Sequence, residues 1–304
     1  MVVVSYREQS GRQRDGRFEM KASQFRYHAP KTIDEAVGIL AEVAPQEGRI
    51  LAGGQSLVPM MAFRLARPLH LVDINGVESL NRLTVEAGKL CIGAGVRHAA
   101  FHTPVVEGPL GKLLATVVQH IAHYPIRTRG TFCGSLANAD PASEWCAVSA
   151  LLGAEMVAQS IRGTRIIQAQ KFFAGIMTTT LADDELLVEV RLPLLAADVR
   201  FGFYEFNRRA GDFAIAMALT TYQLRDGKVF EPRLVIGGAE PHPRRIEDAE
   251  RELAGRPASA ETFAVAAERA AVAVDPMEDA ATSAEYRRDL VRTVARRALE
   301  RSVI

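Results

Sequence analysis

The chain has 304 residues, of which 48% are hydrophobic and 24% charged, and its 37 Lys and Arg against 36 Asp and Glu give a formal charge of +1. This composition is typical of a folded globular protein of one or two domains, and it excludes a disordered, collagen-like or coiled-coil chain. The missing basic excess argues against nucleic-acid binding, and no run approaches the roughly 18 apolar residues of a membrane span.

The cysteines and the N-terminus indicate the compartment. Cys91, Cys133 and Cys146 are widely separated and form no C-x-x-C pair. They are too few to ligate a four-cysteine iron–sulfur cluster or to build a disulfide framework, which predicts reduced thiols and a cytoplasmic protein. Residues 1–19 are rich in Arg, Gln and Gly and lack the apolar core of a secretory signal, so we expect a disordered leader.

The first ordered element is a predicted helix. Thr32 and Glu35 form a capping box in front of apolar residues at helical spacing, and Pro45 ends the helix. The next predicted elements are a short buried strand at 49–52, a glycine turn at 53–57 and a strand at 69–74.

The middle of the chain shows hairpin and helix patterns. Gly88 lies in the turn of a predicted hairpin, 83–86 with 89–92, because glycine supplies the positive φ of a tight turn. Apolar residues from Leu110 to Ile121 mark one face of a helix that ends at Tyr124-Pro125. The predictions that follow are an irregular segment at 126–140, a helix at about 142–152, a strand at 185–192 and a linker at 193–198.

Beyond the linker, strands precede helices. The predicted elements are strands at 216–224 and 233–236 around an Asp226-Gly227 turn, a helix at about 260–273 after Ser259 as N-cap, and a helix at about 284–301. The residues predicted to face inward from the last helix are Tyr286, Leu290, Val291, Val294 and Leu299. Strands and helices follow no strict βαβ alternation, which predicts an α+β fold.

Several glycine-rich segments could bind a nucleotide or act in catalysis, and three common sequence motifs were compared with them and do not fit. Gly93-Ala94-Gly95 starts like a dinucleotide fingerprint, but His98 stands where the third glycine belongs. Gly54-Gln55-Ser56 resembles a nucleophile elbow until Val58 replaces its last glycine, and no P-loop sequence is present.

The segment from Ala52 to Ser56 has the composition of an anion-binding nest. Successive backbone N–H groups there would converge on a pyrophosphate, and Ser56 would add a hydroxyl; a tight turn chosen for its dihedral angles is the alternative interpretation. The segment from Arg129 to Ala137, followed by Asp140 and Glu144, is again glycine-spaced and lined with hydroxyls. Two such loops would embrace the phosphates and ribityl chain of a dinucleotide.

Together the two segments resemble the FAD-binding motifs of the flavin subunit in the carbon monoxide dehydrogenase/xanthine oxidase family of molybdenum hydroxylases. Ala52 to Leu57 is similar to the family's A-G-G-Q-S-L loop, and Ile126 to Ala137 to its I-R-N-R-G-T-x-G-G-S-L-A stretch. Further matches follow in order: Asp140-Pro141-Ala142 with Glu144, Phe172-Phe173, Glu185-Leu186-Leu187, Arg208 to Ala214, and Tyr286-Arg287 with Arg297-Ala298-Leu299. From about residue 20 onward the chain resembles a full-length medium subunit.

The resemblance implies a fold and a set of site residues. A FAD-binding domain of the vanillyl-alcohol oxidase/p-cresol methylhydroxylase type, with two α+β subdomains, would span 20–197, and a small α+β C-terminal flavoprotein domain 198–304. The implied FAD-binding residues are Leu51, Ala52, Gly53, Gly54, Gln55, Ser56, Leu57, Thr131, Cys133, Gly134, Ser135, Asp140, Glu144, Leu187 and Tyr204. No catalytic or metal-ligating residue is expected.

The implied roles differ along this set. The two loops would hold pyrophosphate and ribityl oxygens, Asp140 and Glu144 ribose or ribityl hydroxyls, and Leu187 would pack against the ring system. Tyr204 would lie beside the isoalloxazine, with a core aromatic as the alternative. Cys133 stands where the family usually has glycine and Asn138 where His is common; the Cys133 thiol would either tune the flavin or pack as a small apolar residue.

The function implied by the resemblance is electron transfer. A large partner subunit would carry the molybdenum cofactor, a small one would carry two [2Fe–2S] clusters, and electrons would pass through FAD in this chain to an external acceptor, in a dimer of heterotrimers. The alternatives are a stand-alone flavin oxidoreductase of the same fold and a non-catalytic assembly subunit that has lost its flavin.

Two side-chain patterns have ordinary structural interpretations. His98 and His102, like His120 and His123, have spacings that metal ligands use, but they lack a third ligand and are interpreted as packing or partner-facing histidines. The six arginines between 287 and 301 are interpreted as the solvated face of a helix, with docking onto an acidic neighbouring subunit as the alternative.

Overall fold

The computed structural model describes residues 21–303, so the predicted leader at 1–19 lies outside the described residues. The described chain folds into helices mixed with four sheets, which confirms the predicted α+β class. Within residues 21–303, no helix is both long and apolar enough to cross a lipid bilayer.

A small parallel sheet opens the described chain. Its strands lie in the order β1-β3-β2, with β1 at Arg26–His28, β2 at Gly48–Leu51 and β3 at His70–Asp73. Helix α1 (Ile33–Val43) is capped as predicted, because Thr32 Oγ1 accepts a hydrogen bond from the Glu35 N–H at 3.1 Å. The capping box is only half formed, since the Glu35 carboxylate accepts from the Lys31 N–H at 2.8 Å rather than from Thr32.

The segment after β2 differs from the prediction in two respects. β2 is an edge strand whose Ile50 and Leu51 are half-buried, because this edge faces an open cleft rather than the core. The glycine turn then runs directly into a short helix, α2 (Leu57–Ala62), which the sequence analysis did not predict.

A five-stranded antiparallel sheet forms the second subdomain. Its order is β4-β5-β10-β6-β7, with β4 at Leu83–Glu86, β5 at Lys89–Gly93, β6 at Glu155–Ser160, β7 at Gly163–Gln168 and β10 at Leu186–Pro193. The predicted β4–β5 hairpin is confirmed, and both Ala87 (φ 47°) and Gly88 (φ 74°) of its turn are left-handed. The other elements of this subdomain are α3 (Pro109–Val117), α4 (Tyr124–Arg127), α5 (Phe132–Asn138), α6 (Glu144–Leu152), α7 (Ala169–Phe172), β8 (Phe173–Gly175) and β9 (Thr178–Thr179).

The end of α3 corrects the sequence prediction. The helix ends at Val117 and not at Tyr124-Pro125, although Val118 and Ile121 are buried as the pattern requires. After Val117, hydrogen bonds between residues three apart replace the α-helical ones, and Val118 and Ile121 still face the core. The left-handed backbone of Ala122 (φ 43°) then ends this segment. Pro125 lies in the first turn of α4, where its missing N–H leaves no helical bond unmade.

The C-terminal region is an antiparallel sheet covered by three helices. The sheet order is β11-β12-β13-β14, with β11 at Val199–Phe206, β12 at Ala216–Arg225, β13 at Lys228–Gly237 and β14 at Arg244–Arg245. The helices are α8 (Glu247–Leu253), α9 (Ala260–Ala273) and α10 (Ala284–Arg301). The predicted Asp226-Gly227 turn and the Ser259 cap of α9 are confirmed, whereas α8 was not predicted.

The inward face of α10 differs from the prediction at two residues. Leu290, Val291, Val294 and Leu299 are buried, but Tyr286 is 47% exposed. Arg287 is buried in its place, because its guanidinium donates to the Gly238 carbonyl at 2.7 Å and pairs with Asp279 at 2.6 Å.

The C-terminal sheet is packed on both faces. Side chains alternate along β12, so that Met217 and Leu219 join the core of the two N-terminal subdomains while Ala216 and Ala218 join the core under α8, α9 and α10. Helix α6, all of whose residues are buried, lies between the five-stranded sheet and this sheet. Helix α6 therefore fixes the C-terminal region against the five-stranded sheet.

Candidate functional site

A cleft of about 1360 Å³ lies where the two N-terminal subdomains and the C-terminal region meet. One wall is the segment from Gly48 to Leu57, and the opposite wall is formed by Gly130, Thr131 and the start of α5. Drug-sized ligands occupy pockets of roughly 300–1,000 Å³, so this cleft has the size for a larger molecule such as a dinucleotide.

The first wall carries a run of unpaired backbone donors. Among residues 21–303, no backbone or side-chain acceptor pairs with the N–H groups of Gly53, Gly54, Gln55 and Ser56. Gly54 is left-handed (φ 73°), and Gln55 Nε2 donates back to the Gly53 carbonyl at 2.9 Å, which curls the segment. Four unpaired N–H groups around a left-handed glycine fit the nest predicted for 52–56, and the anion that it would bind stays a prediction.

The two walls touch at their backbones. A Cβ placed on Gly53 would overlap the Arg129 carbonyl oxygen and lie 2.6 Å from Gly130 Cα. A Cβ placed on Gly130 would lie 2.5 Å from His98 Nε2. Both glycines are therefore required by close approach, which explains why two glycine segments far apart in sequence form one site.

The second wall is a capped helix rather than the irregular loop that the sequence suggested. Thr131 is the N-cap of α5, and its Oγ1 accepts a hydrogen bond from the Gly134 N–H at 3.0 Å. Thr131, Gly134 and Ser135 line the cleft. The turn of the helix directs the Cys133 side chain away from these three residues and into the core. Cys133 is 2% exposed, and its Sγ donates a hydrogen bond to the Ile92 carbonyl at 3.4 Å. Burial raises the pKa of the Cys133 thiol, so it is a protonated packing group.

Glu144 is a buried carboxyl at the edge of the cleft. It opens α6 and is 8% exposed, and burial followed by the charge of Glu205 on β11 raises its pKa to about 8. Glu205 Oε1 pairs with His120 Nδ1 at 3.2 Å, while Glu205 Oε2 is buried and has no hydrogen-bond partner in the part of the chain that the structure describes. At neutral pH Glu144 is therefore protonated and can both donate to and accept from hydroxyl groups. Asp140, also on the cleft, accepts from the Ala142 N–H at 2.9 Å.

His98 is the buried histidine of the cleft wall. Its Nδ1 accepts a hydrogen bond from Trp145 Nε1 at 2.9 Å, which assigns the ring hydrogen to Nε2. Burial, with smaller contributions from Arg97 and Arg127, lowers the pKa of His98 to about 3, so the ring is neutral. His102 pairs with Arg127, and His123 packs against Gly211. No group of three or more His, Cys, Asp or Glu side chains within 21–303 is arranged to hold a metal ion.

The structure brings together most of the residues implied to bind the cofactor. Those that line the cleft are Leu51, Ala52, Gly53, Gly54, Gln55, Ser56, Leu57, Thr131, Gly134, Ser135, Asp140 and Glu144. Cys133, Leu187 and Tyr204 lie outside this lining. Leu187 is 4% exposed within β10, and the Tyr204 ring is covered by the guanidinium groups of Arg297 and Arg301, at 4.9 and 4.5 Å. Their roles at a cofactor stay predictions.

Phe213 is a cleft residue to which the sequence analysis assigned no role. It lies with Gly211 and Asp212 at the mouth of the cleft, and 72% of it is exposed. An exposed phenylalanine on a polar loop offers a flat apolar surface to a ligand. The sequence signal was the aromatic residue directly after Gly211-Asp212.

Two family models match the chain. The FAD binding domain in molybdopterin dehydrogenase matches residues 23–195, and the CO dehydrogenase flavoprotein C-terminal domain matches residues 201–302.

Relatives match over nearly the full length. The nicotine 6-hydroxylase medium subunit of Paenarthrobacter nicotinovorans is 37% identical over 281 residues, which cover 92% of this chain and 98% of the relative. The carbon monoxide dehydrogenase medium chain of Hydrogenophaga pseudoflava is 32% identical and covers 91% of this chain and 96% of the relative.

Solved structures show the same fold. A chain of carbon monoxide dehydrogenase from Hydrogenophaga pseudoflava superposes with a TM-score of 0.88 at 33% identity, covering 93% of this chain and 98% of that one. A chain of quinoline 2-oxidoreductase from Pseudomonas putida 86 gives a TM-score of 0.87 at 35% identity, with the same coverage of 93% and 98%.

Proposed function

The chain belongs to the FAD-binding medium subunits of the carbon monoxide dehydrogenase/xanthine oxidase family, and from this we propose that it is the electron-transfer subunit of a molybdenum hydroxylase. The observation that carries the proposal is the nest of four unpaired N–H groups on one wall of a dinucleotide-sized cleft, facing a wall of hydroxyls. FAD bound in such a cleft supplies the exchange of single electrons for electron pairs.

The residues of the two walls would divide the cofactor between them. The N–H groups of Gly53 to Ser56 suit a pyrophosphate, because converging backbone donors stabilise negative charge. Thr131 and Ser135 would contribute hydroxyls, while Asp140 and the protonated Glu144 suit the hydroxyl groups of a ribityl or ribose chain. Leu51, Ala52 and Leu57 complete the first wall with apolar surface.

Phe213 would cover the flavin ring at the mouth of the cleft. Its side chain is 72% exposed, so its apolar ring is accessible to a ligand in the cleft. Covering the flavin ring would exclude water from one of its faces. We keep the proposals that Leu187 packs against the ring system and that Tyr204 lies beside the isoalloxazine.

The proposed partners rest on the family to which the chain belongs. By that membership, a small partner subunit would carry two [2Fe–2S] clusters and a large one the molybdenum cofactor, in a cytoplasmic dimer of heterotrimers. The three cysteines of this chain are free and buried, which agrees with clusters held by another subunit. Electrons from the clusters would reach FAD here and leave to an external acceptor. We keep 20–197 and 198–304 as the proposed FAD-binding and C-terminal domains.

The test is a visible spectrum of the purified full-length chain, with the flavin released by heat and identified, followed by isolation of its complex from the native source. We expect about one FAD per chain and co-purifying molybdenum and iron. Full substrate turnover by the isolated chain would instead indicate a stand-alone flavin oxidoreductase. A colourless chain that refuses FAD even in the assembled complex would contradict the cofactor assignment and favour an assembly subunit.

A further inference from the structure

A second, smaller pocket lies behind the point where the two walls of the cleft touch. Its volume is about 510 Å³, and Ala52 and Gly53 belong to both pockets. The remaining lining is polar and consists of Asp73 and Asn75 at the carboxyl end of β3, Arg97, Thr128 and Arg129. None of these five polar residues lines the FAD cleft.

The two arginines of this pocket are not neutralised by carboxylates. Arg97 donates to the Arg129 carbonyl oxygen and, at 2.6 Å, to Asn75 Oδ1, which are both uncharged acceptors. No acceptor within residues 21–303 pairs with the Arg129 guanidinium. Each guanidinium carries five N–H donors, so three on Arg97 and five on Arg129 are left for a ligand.

Asp73, the acidic residue of the pocket, already accepts hydrogen bonds from within the chain. Asp73 Oδ2 accepts from the Tyr27 hydroxyl at 2.5 Å, and Asp73 Oδ1 accepts from the Asn75 N–H at 2.9 Å. These bonds hold the carboxylate on the β3 side, and two guanidinium charges face one carboxylate charge. Burial is the main cause that lowers the pKa of Arg97; the charge of Arg129 lowers it further, while the charge of Asp73 raises it.

We propose that the pocket of Arg97 and Arg129 binds an oxyanion, a phosphate or a carboxylate, separately from the pyrophosphate of FAD. Two guanidinium groups with unused donors at a polar pocket are the arrangement that recognises such groups bidentately. The oxyanion has two possible sources, a free ion or an acidic side chain of a partner subunit. Because Gly53 and Arg129 touch, an anion here would hold the two walls of the cleft together from behind.

The first test titrates inorganic phosphate, at constant ionic strength, into the full-length chain loaded with FAD, so that the nest is filled. We expect one saturable site, which Arg129→Gln weakens roughly tenfold, the loss expected for a hydrogen bond to a charged group. Arg129 is exposed and its guanidinium has no partner among residues 21–303, so this variant should fold. Arg200→Gln, at an exposed arginine of β11, is the matched control and should bind phosphate as the wild type does.

The second test uses the assembled complex. Phosphate binding that persists after assembly identifies a free oxyanion. Phosphate binding lost on assembly, with weaker and less salt-dependent assembly of Arg129→Gln than of Arg200→Gln, identifies a partner carboxylate. The proposal is overturned if the FAD-loaded chain binds no phosphate and Arg129→Gln assembles normally, or if phosphate binding is the same in Arg129→Gln. The FAD content, read from the visible absorbance, tests the proposed function separately.

Discussion

The two walls of the cleft present their hydrogen-bonding groups in opposite ways. On the first wall, the N–H groups of Gly53 to Ser56 have no partner in the described chain, and Ser56 makes no side-chain cap for α2. On the second wall, Thr131 uses its hydroxyl to cap α5, and the Ser135 N–H donates to the Thr131 carbonyl at 3.1 Å.

We infer from this difference that the first wall serves ligand binding and the second wall serves the stability of the fold. The first wall leaves four N–H groups that a ligand would pair, whereas in the second wall the N–H groups of Phe132, Gly134 and Ser135 are paired within the chain and fix the shape of the site. The nest also contains no titratable side chain, whereas the second wall carries the buried Glu144. We therefore expect substitutions in the first wall to affect FAD binding, and substitutions in the second to affect stability and its pH dependence.

The contact between the walls is the point where this separation should break down. In Gly53→Ala the new Cβ would overlap the Arg129 carbonyl and press on Gly130, so the walls must move apart. We expect loss of nearly all bound FAD and a destabilisation of about 1–3 kcal/mol, as for overpacking of a fitted contact. FAD absorbance per chain and urea unfolding measure both effects.

The control for Gly53→Ala is Gly38→Ala in α1, where a Cβ meets nothing within 4 Å. It should keep FAD and gain roughly 0.5–1 kcal/mol, because alanine is the better helix former. Wild-type FAD content in Gly53→Ala would show that the close contact of the walls is not needed for binding.

Glu144 should make the second wall sensitive to pH. Between pH 4.5 and about 8 the folded chain keeps a proton on Glu144 that the unfolded chain has lost. This group therefore lowers the free energy of unfolding as pH rises through that window, with a slope approaching about 1.4 kcal/mol per pH unit. Glu144→Gln removes the titration, so its stability relative to wild type should increase steadily from pH 5 to pH 8.

Urea unfolding of the FAD-free chain at each pH checks this expectation. Glu268→Gln is the control, because Arg292 lowers the pKa of that exposed carboxyl and no gain with rising pH is expected. A pH-independent difference between Glu144→Gln and wild type would show that Glu144 ionises normally in the folded chain.

The parts of the fold that local signals encode were predictable. The β4–β5 hairpin, the Asp226-Gly227 turn and the Ser259 cap depend on residues that are neighbours in sequence, and the structure has all three. The left-handed Gly54 is a local feature of the same kind, because glycine adopts a positive φ readily, whereas the anion-binding role of Gly53 to Ser56 stays a prediction.

What escaped prediction depends on contacts distant in sequence. The raised pKa of Glu144 comes first from burial in the folded chain and then from the charge of Glu205 on β11, and the burial of Arg287 depends on the Gly238 carbonyl and Asp279. Helix α5 was missed because its glycine and serine disfavour helix, while one capping hydroxyl and buried neighbours outweigh that preference. The end of α3 was missed because three-residue turns preserve its apolar face.

Paired substitutions at one hydroxyl on each wall would sharpen the comparison. Thr131→Ala removes the cap of α5 and should cost about 1 kcal/mol of stability, while Thr131→Ser should keep most of it. Ser56→Ala removes no cap, so it should cost less than about 0.5 kcal/mol yet weaken FAD retention. Thermal unfolding of the FAD-free chains and FAD titration of each variant separate the two effects; equal stability losses at both positions would contradict the division between the walls.

Cys133 offers the smallest expected effect and tests whether the second wall's core side contacts the flavin. Its thiol is 2% exposed and donates to the Ile92 carbonyl, facing away from the cleft that Thr131, Gly134 and Ser135 line. Cys133→Ala should therefore lower the free energy of unfolding by only roughly 0.5–1 kcal/mol, the loss of a small buried group.

The visible spectrum and midpoint potential of the FAD-loaded variant should equal those of wild type. Alkylation of Cys133 in the folded wild type should be slow, since the thiol is buried and its raised pKa keeps it protonated. A shifted flavin potential in Cys133→Ala would place the thiol beside the ring and reverse this assignment, because a group that only packs in the core has no route to the flavin's electronics.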